Sequence, residues 1–329
     1  MGAGLVINGK FLGAKPTGVH RTGAALLEQL GGHVDELTAL FGGPPVVLAP
    51  NNVEPRSLAG GIALDSRSHL RGQLWEQCEL PLRARGRPLL SFCNLSPILA
   101  GNRAVTMFHD AQVRSTPASY TWAFRNFYQM VQPQIGRHAR KILTVSHFSV
   151  GELARFGMAP QNKIRVIHNG VDHVAAPDHS IVERLGLEDG RYVLALSSVQ
   201  SHKNIGILLE AFAGGQMGDL RLVLFGAAGP REFANAGLPC GPEVVFAGRV
   251  SDAELTGLME RALCFAMPSR TEGFGLPPLE AMAAGCPAVI APEGALPEVC
   301  GQAALQAAWD DASAWAFAFQ HLANDPAQR

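Results

Sequence analysis

The chain is short of net charge and of long apolar runs, and each shortage removes a class of function. Lys and Arg number 27 against 28 Asp and Glu in 329 residues, a formal net charge of −1. Nothing global therefore draws the protein to nucleic acid or to an anionic membrane surface. No stretch approaches roughly 18 uninterrupted apolar residues, and the N-terminus MGAGLVINGKFLGAKPTG lacks the apolar core of a signal peptide. The expectation is a soluble cytoplasmic protein, at most peripheral at the inner face of a membrane. The six cysteines (Cys78, Cys93, Cys240, Cys264, Cys286, Cys300) form no CxxC pair and read as reduced thiols, not as a disulfide framework. The histidines show neither HxxxH nor HxH spacing, and Asp310 and Asp311 lie beside the last helical stretch instead of ending a buried strand, so no metal site is expected. GxSxG, Walker A and dinucleotide fingerprints are missing as well, and no cofactor is expected.

What is present is a regular alternation of short apolar runs with longer amphipathic stretches, the pattern of parallel sheets with crossover helices. The first half offers LVING, PVVLAP, PLLSFC, AVTMFHD, KILTVS and KIRVIHNG as strands. The second offers YVLALSS, RLVLFG, EVVFAG, CFAMPS and PAVIAP. Between the sets, GVDHVAAPDHS (170–180) is polar and without a period, so a domain boundary belongs there, giving domains 1–172 and 173–329. The fold class expected is α/β: two Rossmann-like doubly wound domains facing a central cleft, with strand C-termini opening toward the ligand.

One segment carries the chemistry, SRTEGFGLPPLEAMAAGCP (269–287). CFAMPS reads as a buried strand, RTEGFG as the loop at its C-terminal end, and LPPLEAMAAG as a helix with its prolines in the first turn and Gly285 past its end. Glu272 then lies in the loop and Glu280 in the first helical turn or so. The N–H groups around Phe274, Gly275 and Leu276, with the helix dipole, make an anion site suited to a phosphate. On local physics a plainer reading stands beside this one, with Glu280 complementing the dipole and Glu272 solvated. The glycine pair, Gly273 and Gly275, favours the ligand reading, because it lets backbone approach a ligand where a plain turn needs a single glycine.

At this point the residues resemble a known family. Glu272 and Glu280 inside PSRTEGFGLPPLEAMAAGCPAVIA look like the E-x7-E signature of the retaining glycosyltransferases of family 4, which have the GT-B fold. The likeness continues through GALPEVCGQAAL and upstream through VQSHKNIGILLEAF, LVLFGAAG, FAGRVSDAELTGLMERA, VIHNGVD, FHDAQ and PTGVHR. The resemblance implies that Glu272 contacts the transferred sugar and steadies its cationic transition state, while Glu280 grips the ribose hydroxyls. It implies that Lys203 neutralises the departing diphosphate in place of a metal, with Asn204 beside it among the donor contacts. Gly248 and Arg249 would hold the base, and His109 would touch the donor sugar and the reaction centre. Gly18 would belong to a loop near the donor phosphates or the acceptor, with Arg21 a turn further on as an acceptor contact. Plain readings accompany these: a solvated Lys203 or Arg249, a structural His109, and Gly18 in a cap led by Thr17.

Two departures from the family pattern matter. The arginine usual five positions before the lysine is Ser198 here, which puts the two-cation clamp in doubt and leaves His202, or a residue elsewhere, as the candidate substitute. The chain also stops at Arg329, soon after one last helical stretch, where family members continue with a helix that crosses back; truncation or another means of closure is expected. The run LPLRARGRP, with Arg83, Arg85 and Arg87, reads either as a solvated loop or as a dock for anionic lipid headgroups.

The reading that results is a retaining, metal-independent hexosyltransferase. Its donor is a nucleotide-diphosphate sugar, GDP-mannose as a first guess, and its acceptor a glycan or polyprenyl-linked glycan in exopolysaccharide or O-antigen synthesis. The N-terminal domain would bind the acceptor and the C-terminal domain the donor. Two rivals stand beside it: a GT-B sugar-nucleotide epimerase, and a non-catalytic nucleotide-sugar-binding partner subunit.

Overall fold

A computed structural model describes residues 4–14, 17–54, 56–215 and 217–325. Lys15 and Pro16 of the KPTGVHR element, and the final residues 326–329, lie outside the described residues. The chain divides into two compact units, Met1–Asn169 and Gly170–Arg329.

The N-terminal unit is built on a seven-stranded parallel sheet. Its strands are β1 (Val6–Asn8), β2 (Val46–Leu48), β3 (Ala63–Asp65), β4 (Leu89–Ser91), β5 (Ala104–Met107), β6 (Lys141–Thr144) and β7 (Ile164–Val166). They lie in the order β3-β2-β1-β4-β5-β6-β7. Ile7 sits at the centre of the register, opposite Val47 on one side and Leu90 on the other. The central strands are apolar at consecutive positions, as in Val6 and Ile7 or Leu89 and Leu90, because helices cover both sheet faces. Trp75, Leu80, Phe108 and Ile135 are fully or almost fully buried beneath them.

The C-terminal unit has a six-stranded parallel sheet of β8 (Tyr192–Leu196), β9 (Arg221–Phe225), β10 (Val244–Gly248), β11 (Cys264–Met267), β12 (Ala288–Ile290) and β13 (Ala304–Gln306), ordered β10-β9-β8-β11-β12-β13. The helix Ala312–Asn324 closes one face. Asp311 caps it, its carboxylate accepting from the N–H groups of Ser313 (2.9 Å) and Ala314 (3.1 Å). Trp315, Phe319 and Leu322, spaced four and three apart, are all buried on the inward side, and Trp315 donates its indole N–H to the carbonyl of Ala308 at 2.9 Å. Two large aromatics placed this way supply several kcal/mol of apolar burial at ~25 cal/mol per Å².

In each sheet the chain enters at an inner strand, builds outward to one side, then crosses to the other flank. The reversal falls between β1 and β4 in the first unit and between β8 and β11 in the second. Such switch points leave a crevice at the strand C-termini, which is where open α/β sheets bind ligands.

Candidate functional site

Lys203 and Glu272 follow the two strands that flank the switch point of the C-terminal unit. Lys203 ends a single 3-10 turn (Ser201–Lys203) after β8, and Glu272 lies in the loop after β11. Lys203 Nζ donates to Glu272 Oε1 at 2.6 Å. The glutamate side chain is 9 % exposed and the lysine 19 %, so the pair is shielded but open to a ligand on the lysine side. The Glu272 backbone is held in turn by the loop after β12: its carbonyl accepts from Ala295 N–H at 3.0 Å, and a Cβ on Gly294 would lie 2.5 Å from the Glu272 nitrogen. Gly294 also has φ +64°, so only glycine fits there without strain.

The helix after this loop runs from Leu276 to Ala283, with Gly275 at its N-cap in a left-handed conformation (φ 101°). A Cβ on Gly275 would come within 2.5 Å of Leu296 Cδ2, so the loop packs too closely for any side chain at this position. Phe274 is buried, which leaves its backbone as what it can offer a ligand. Pro277 and Pro278 have no N–H, so the donors at this helix start come from Phe274, Gly275 and Leu276. Glu280 is the fifth residue of this helix, just past its first turn, as the sequence segment LPPLEAMAAG places it. Its Oε1 lies 2.7 Å from His173 Nε2, on the segment that follows the first unit. Neither His173 nor Gly294 was singled out from sequence; nothing local in GVDHV or PEGAL marks them, since each acts through a partner distant in sequence.

Asn204, next to Lys203, adopts a left-handed conformation (φ 56°), and its side chain bonds two other loops. It donates to the carbonyls of Pro268 (3.2 Å) and Trp309 (2.7 Å) and accepts from Arg270 Nε (3.2 Å). Arg270 also lies over the Trp309 ring at 4.3 Å. Ser198 contributes no cation, and His202 is buried, with burial and then the neighbouring Lys203 charge lowering its pKa. His202 is thus held toward its neutral form and does not replace the missing arginine, whereas the Arg270 guanidinium is exposed two residues before Glu272. Gly248 ends edge strand β10 with φ 70° and accepts from Gly226 N–H at 2.8 Å; Arg249 is exposed beyond it.

In the N-terminal unit, His109 follows β5 and is almost wholly buried. Its Nε2 lies 2.7 Å from the carbonyl oxygen of Phe92. A carbonyl only accepts, so Nε2 carries the proton and Nδ1 is the acceptor nitrogen of a neutral ring. Burial lowers its pKa to about 4. Its backbone N–H donates to Asn94 Oδ1 (2.7 Å), and Asp110 orders the next turn by accepting from Gln112 N–H (2.9 Å). Gly18 is the first residue of the helix Gly18–Gly31, with open space where a Cβ would be; Thr17 stands at the N-cap, but its hydroxyl lies 3.1 Å from His20 Nδ1 and caps no N–H. Arg21 is exposed on that helix. The arginine run does not form an open basic face. Arg83 pairs with Asp65 at 2.8 Å, and Arg87 donates to the carbonyls of Gly4 and Leu5, leaving Arg85 as the exposed member.

Two doubly wound units, the second with a cation–carboxylate pair at its switch point, define the class: solved structures with the GT-B fold superpose on this chain. Sucrose-phosphate synthase from Thermosynechococcus elongatus matches with a TM-score of 0.69 at 19% identity, over 98% of this chain and 90% of its own. HepE from Anabaena, solved in complex with UDP and glucose, matches with a TM-score of 0.70 at 17% identity and the same coverage. The family follows from sequence. Residues 190–325 match the model of the glycosyl transferases group 1, and residues 84–174 match that of Glycosyltransferase Family 4. These two segments are glycosyl transferases group 1 and Glycosyltransferase Family 4 domains. Among curated relatives, O-antigen chain mannosyltransferase B of Escherichia coli is 31% identical over 225 residues, 64% of this chain and 59% of that protein. The MMP alpha-(1->4)-mannosyltransferase of Mycolicibacterium hassiacum is 34% identical over 184 residues, 54% of this chain and 43% of that protein. The chain therefore spans about half of the length of these relatives. Among the described residues, no helix is long and apolar enough to cross a membrane.

Proposed function

We propose that this protein is a retaining glycosyltransferase that moves a hexose, mannose first among candidates, from a nucleotide-diphosphate sugar to a glycan or lipid-linked glycan. The observation that carries the reading is the Lys203–Glu272 pair beside the glycine-capped helix of Glu280. A departing diphosphate develops negative charge, and a fixed ammonium with backbone N–H groups at a helix start stabilises that charge without reorganising at the moment of reaction. Lys203 supplies the charge that a divalent ion supplies in other transferases, which is why we propose turnover without metal. Glu272, released from Lys203 when the diphosphate takes the ammonium, is positioned to face the cationic sugar. Glu280 exchanges His173 for the ribose hydroxyls. In the N-terminal unit, which we assign to the acceptor side, the neutral His109 ring offers Nδ1 to a substrate hydroxyl. Mannose is favoured because the curated relatives are named as mannosyltransferases, and GDP-mannose is the donor to try first.

Calorimetric titration with UDP, GDP and ADP tests this reading, repeated on Lys203→Ala and Glu280→Ala. One nucleotide should bind, and both substitutions should weaken it. No nucleotide binding by the folded protein would refute the donor site. Transfer from the matching sugar nucleotide in the presence of EDTA, with the product's anomeric configuration read by NMR, tests metal independence and retention.

A further inference from the structure

The N-terminal unit has a crevice at its own switch point. Asn8 ends β1, Cys93 follows β4, and between them opens a cavity of about 240 Å³ that Lys10, Gln73, Glu76 and Tyr128 also line. That volume is below the ~300–1,000 Å³ of sites for drug-sized ligands and suits a single ring.

Glu76 is the unusual group. Its side chain is 1 % exposed, and it sits in a single π-helical turn, Trp75–Glu79, a distortion often found at functional sites. A buried carboxylate costs several kcal/mol unless it is paired. Here Asn8 Nδ2 donates to Oε1 at 2.7 Å and Lys10 Nζ donates to Oε2. Lys10 also donates to Gln73 Oε1 at 3.2 Å. Two of the three ammonium protons are thus committed, and the carboxylate has used about two of its roughly four acceptor positions. The Gln73 amide keeps both its N–H donors beside them.

The site therefore presents donors and an acceptor together, and the Lys10 and Glu76 charges cancel. A phosphate would meet the Glu76 carboxylate, whereas a hydroxyl both donates and accepts and matches either partner. Tyr128 adds an aromatic wall. Its ring stacks on Phe124 at 4.1 Å and 19°, and Phe124 stacks on Tyr120 at 5.4 Å and 6°. Rings of this kind suit a ligand with one apolar face and a polar rim.

We infer that this cavity binds one neutral sugar ring, its hydroxyls held by Glu76, Lys10 and Gln73 and its C–H face against Tyr128. We assign that ring to the acceptor, and this assignment alone rests on the function proposed above.

Saturation-transfer NMR on the full chain tests it, with the methyl α-glycosides of mannose, glucose and galactose as probes and inorganic phosphate as competitor. At least one glycoside should bind, phosphate should not displace it, and Gln73→Ala and Tyr128→Leu should each weaken it about tenfold, the worth of a charge-flanked hydrogen bond or a packed ring. Nucleotide affinity should be unchanged in both variants. No glycoside signal from the folded protein, displacement by phosphate, or unaltered binding in both variants would overturn the inference. Glycoside binding that obeys these expectations in a protein that binds no nucleotide would leave the sugar cavity standing and remove the transferase reading.

Discussion

Lowering the pH from 7.5 to 5 should cost this protein about 2 kcal/mol of stability through His109 alone. The imidazole is buried, its Nε2–H is spent on the Phe92 carbonyl, and burial holds its pKa near 4 against the ordinary value of 6.5. Because the folded value lies below the unfolded one, the unfolded chain takes up a proton first as the pH falls. Stability is intact above the unfolded pKa, declines between about 6.5 and about 4, and stays at its reduced level below that. At about 1.4 kcal/mol per unit, the full loss is about 3 kcal/mol and the part reached at pH 5 is about 2 kcal/mol. Urea unfolding of the wild type and of His109→Gln, followed by circular dichroism at both pH values, isolates the term, since other titrating groups contribute equally to both proteins. The variant should lose about 2 kcal/mol less than the wild type between the two pH values. An equal loss in both proteins, or an NMR titration of the His109 ring with a midpoint near 6.5, would refute the reasoning.

Three further outcomes follow from the same structure. Lys203→Ala should destabilise the C-terminal unit by about 2 kcal/mol, less than the ~3–5 of a fully buried pair because the lysine is partly exposed. Adding Glu272→Gln should recover at least half of that loss in thermal denaturation, whereas two additive losses would show that the pair is not coupled. Gly275→Ala, which forces a side chain into φ 101° and onto Leu296, should lose about 1–3 kcal/mol; an unchanged melting temperature would contradict the close packing of that loop. With a thiol reagent under native conditions, Cys78 and Cys240, the exposed cysteines, should react first. Cys93, Cys264, Cys286 and Cys300, each with its pKa raised by burial, should wait for denaturant, and fast labelling of Cys264 would show the core to be open.

The central strands were legible because each is an uninterrupted apolar run covered on both faces. What escaped were β3 and β13, one at the edge of each sheet. Both are three residues long with half-buried or exposed side chains, as in Ala63–Asp65, so neither makes a run. Glu272 stood out through the glycines of its loop and Lys203 through its place between the strand YVLALSS and a helix, and the structure brings the two side chains to 2.6 Å. The start of the Glu280 helix at Leu276 was legible too, because Gly275 and the two prolines mark it. The Glu76 network could not be read: Asn8 and Lys10 lie 68 and 66 residues from Glu76 in sequence. The available signal was a charged residue in LWEQCELPL between positions that the sheet buries.

The two switch points solve different electrostatic problems with similar backbones. In the C-terminal unit the cation lies on the strand next to the carboxylate, and the helix start adds N–H groups, so the crevice can take an anion once the pair opens. In the N-terminal unit the ammonium and carboxylate are each held by further amide side chains, and nothing at the crevice favours a net charge. The sheet order supplies the location in both cases; what selects the ligand is whether the buried ion pair is free to part. Lys203 has Glu272 as its bonded partner and can exchange it, whereas Lys10 bonds Glu76 and Gln73 together and stays in place. By this argument Gln73→Ala should loosen Lys10 and raise the affinity of the N-terminal crevice for inorganic phosphate while lowering it for a methyl glycoside. That change of preference would not arise if Gln73 merely filled space.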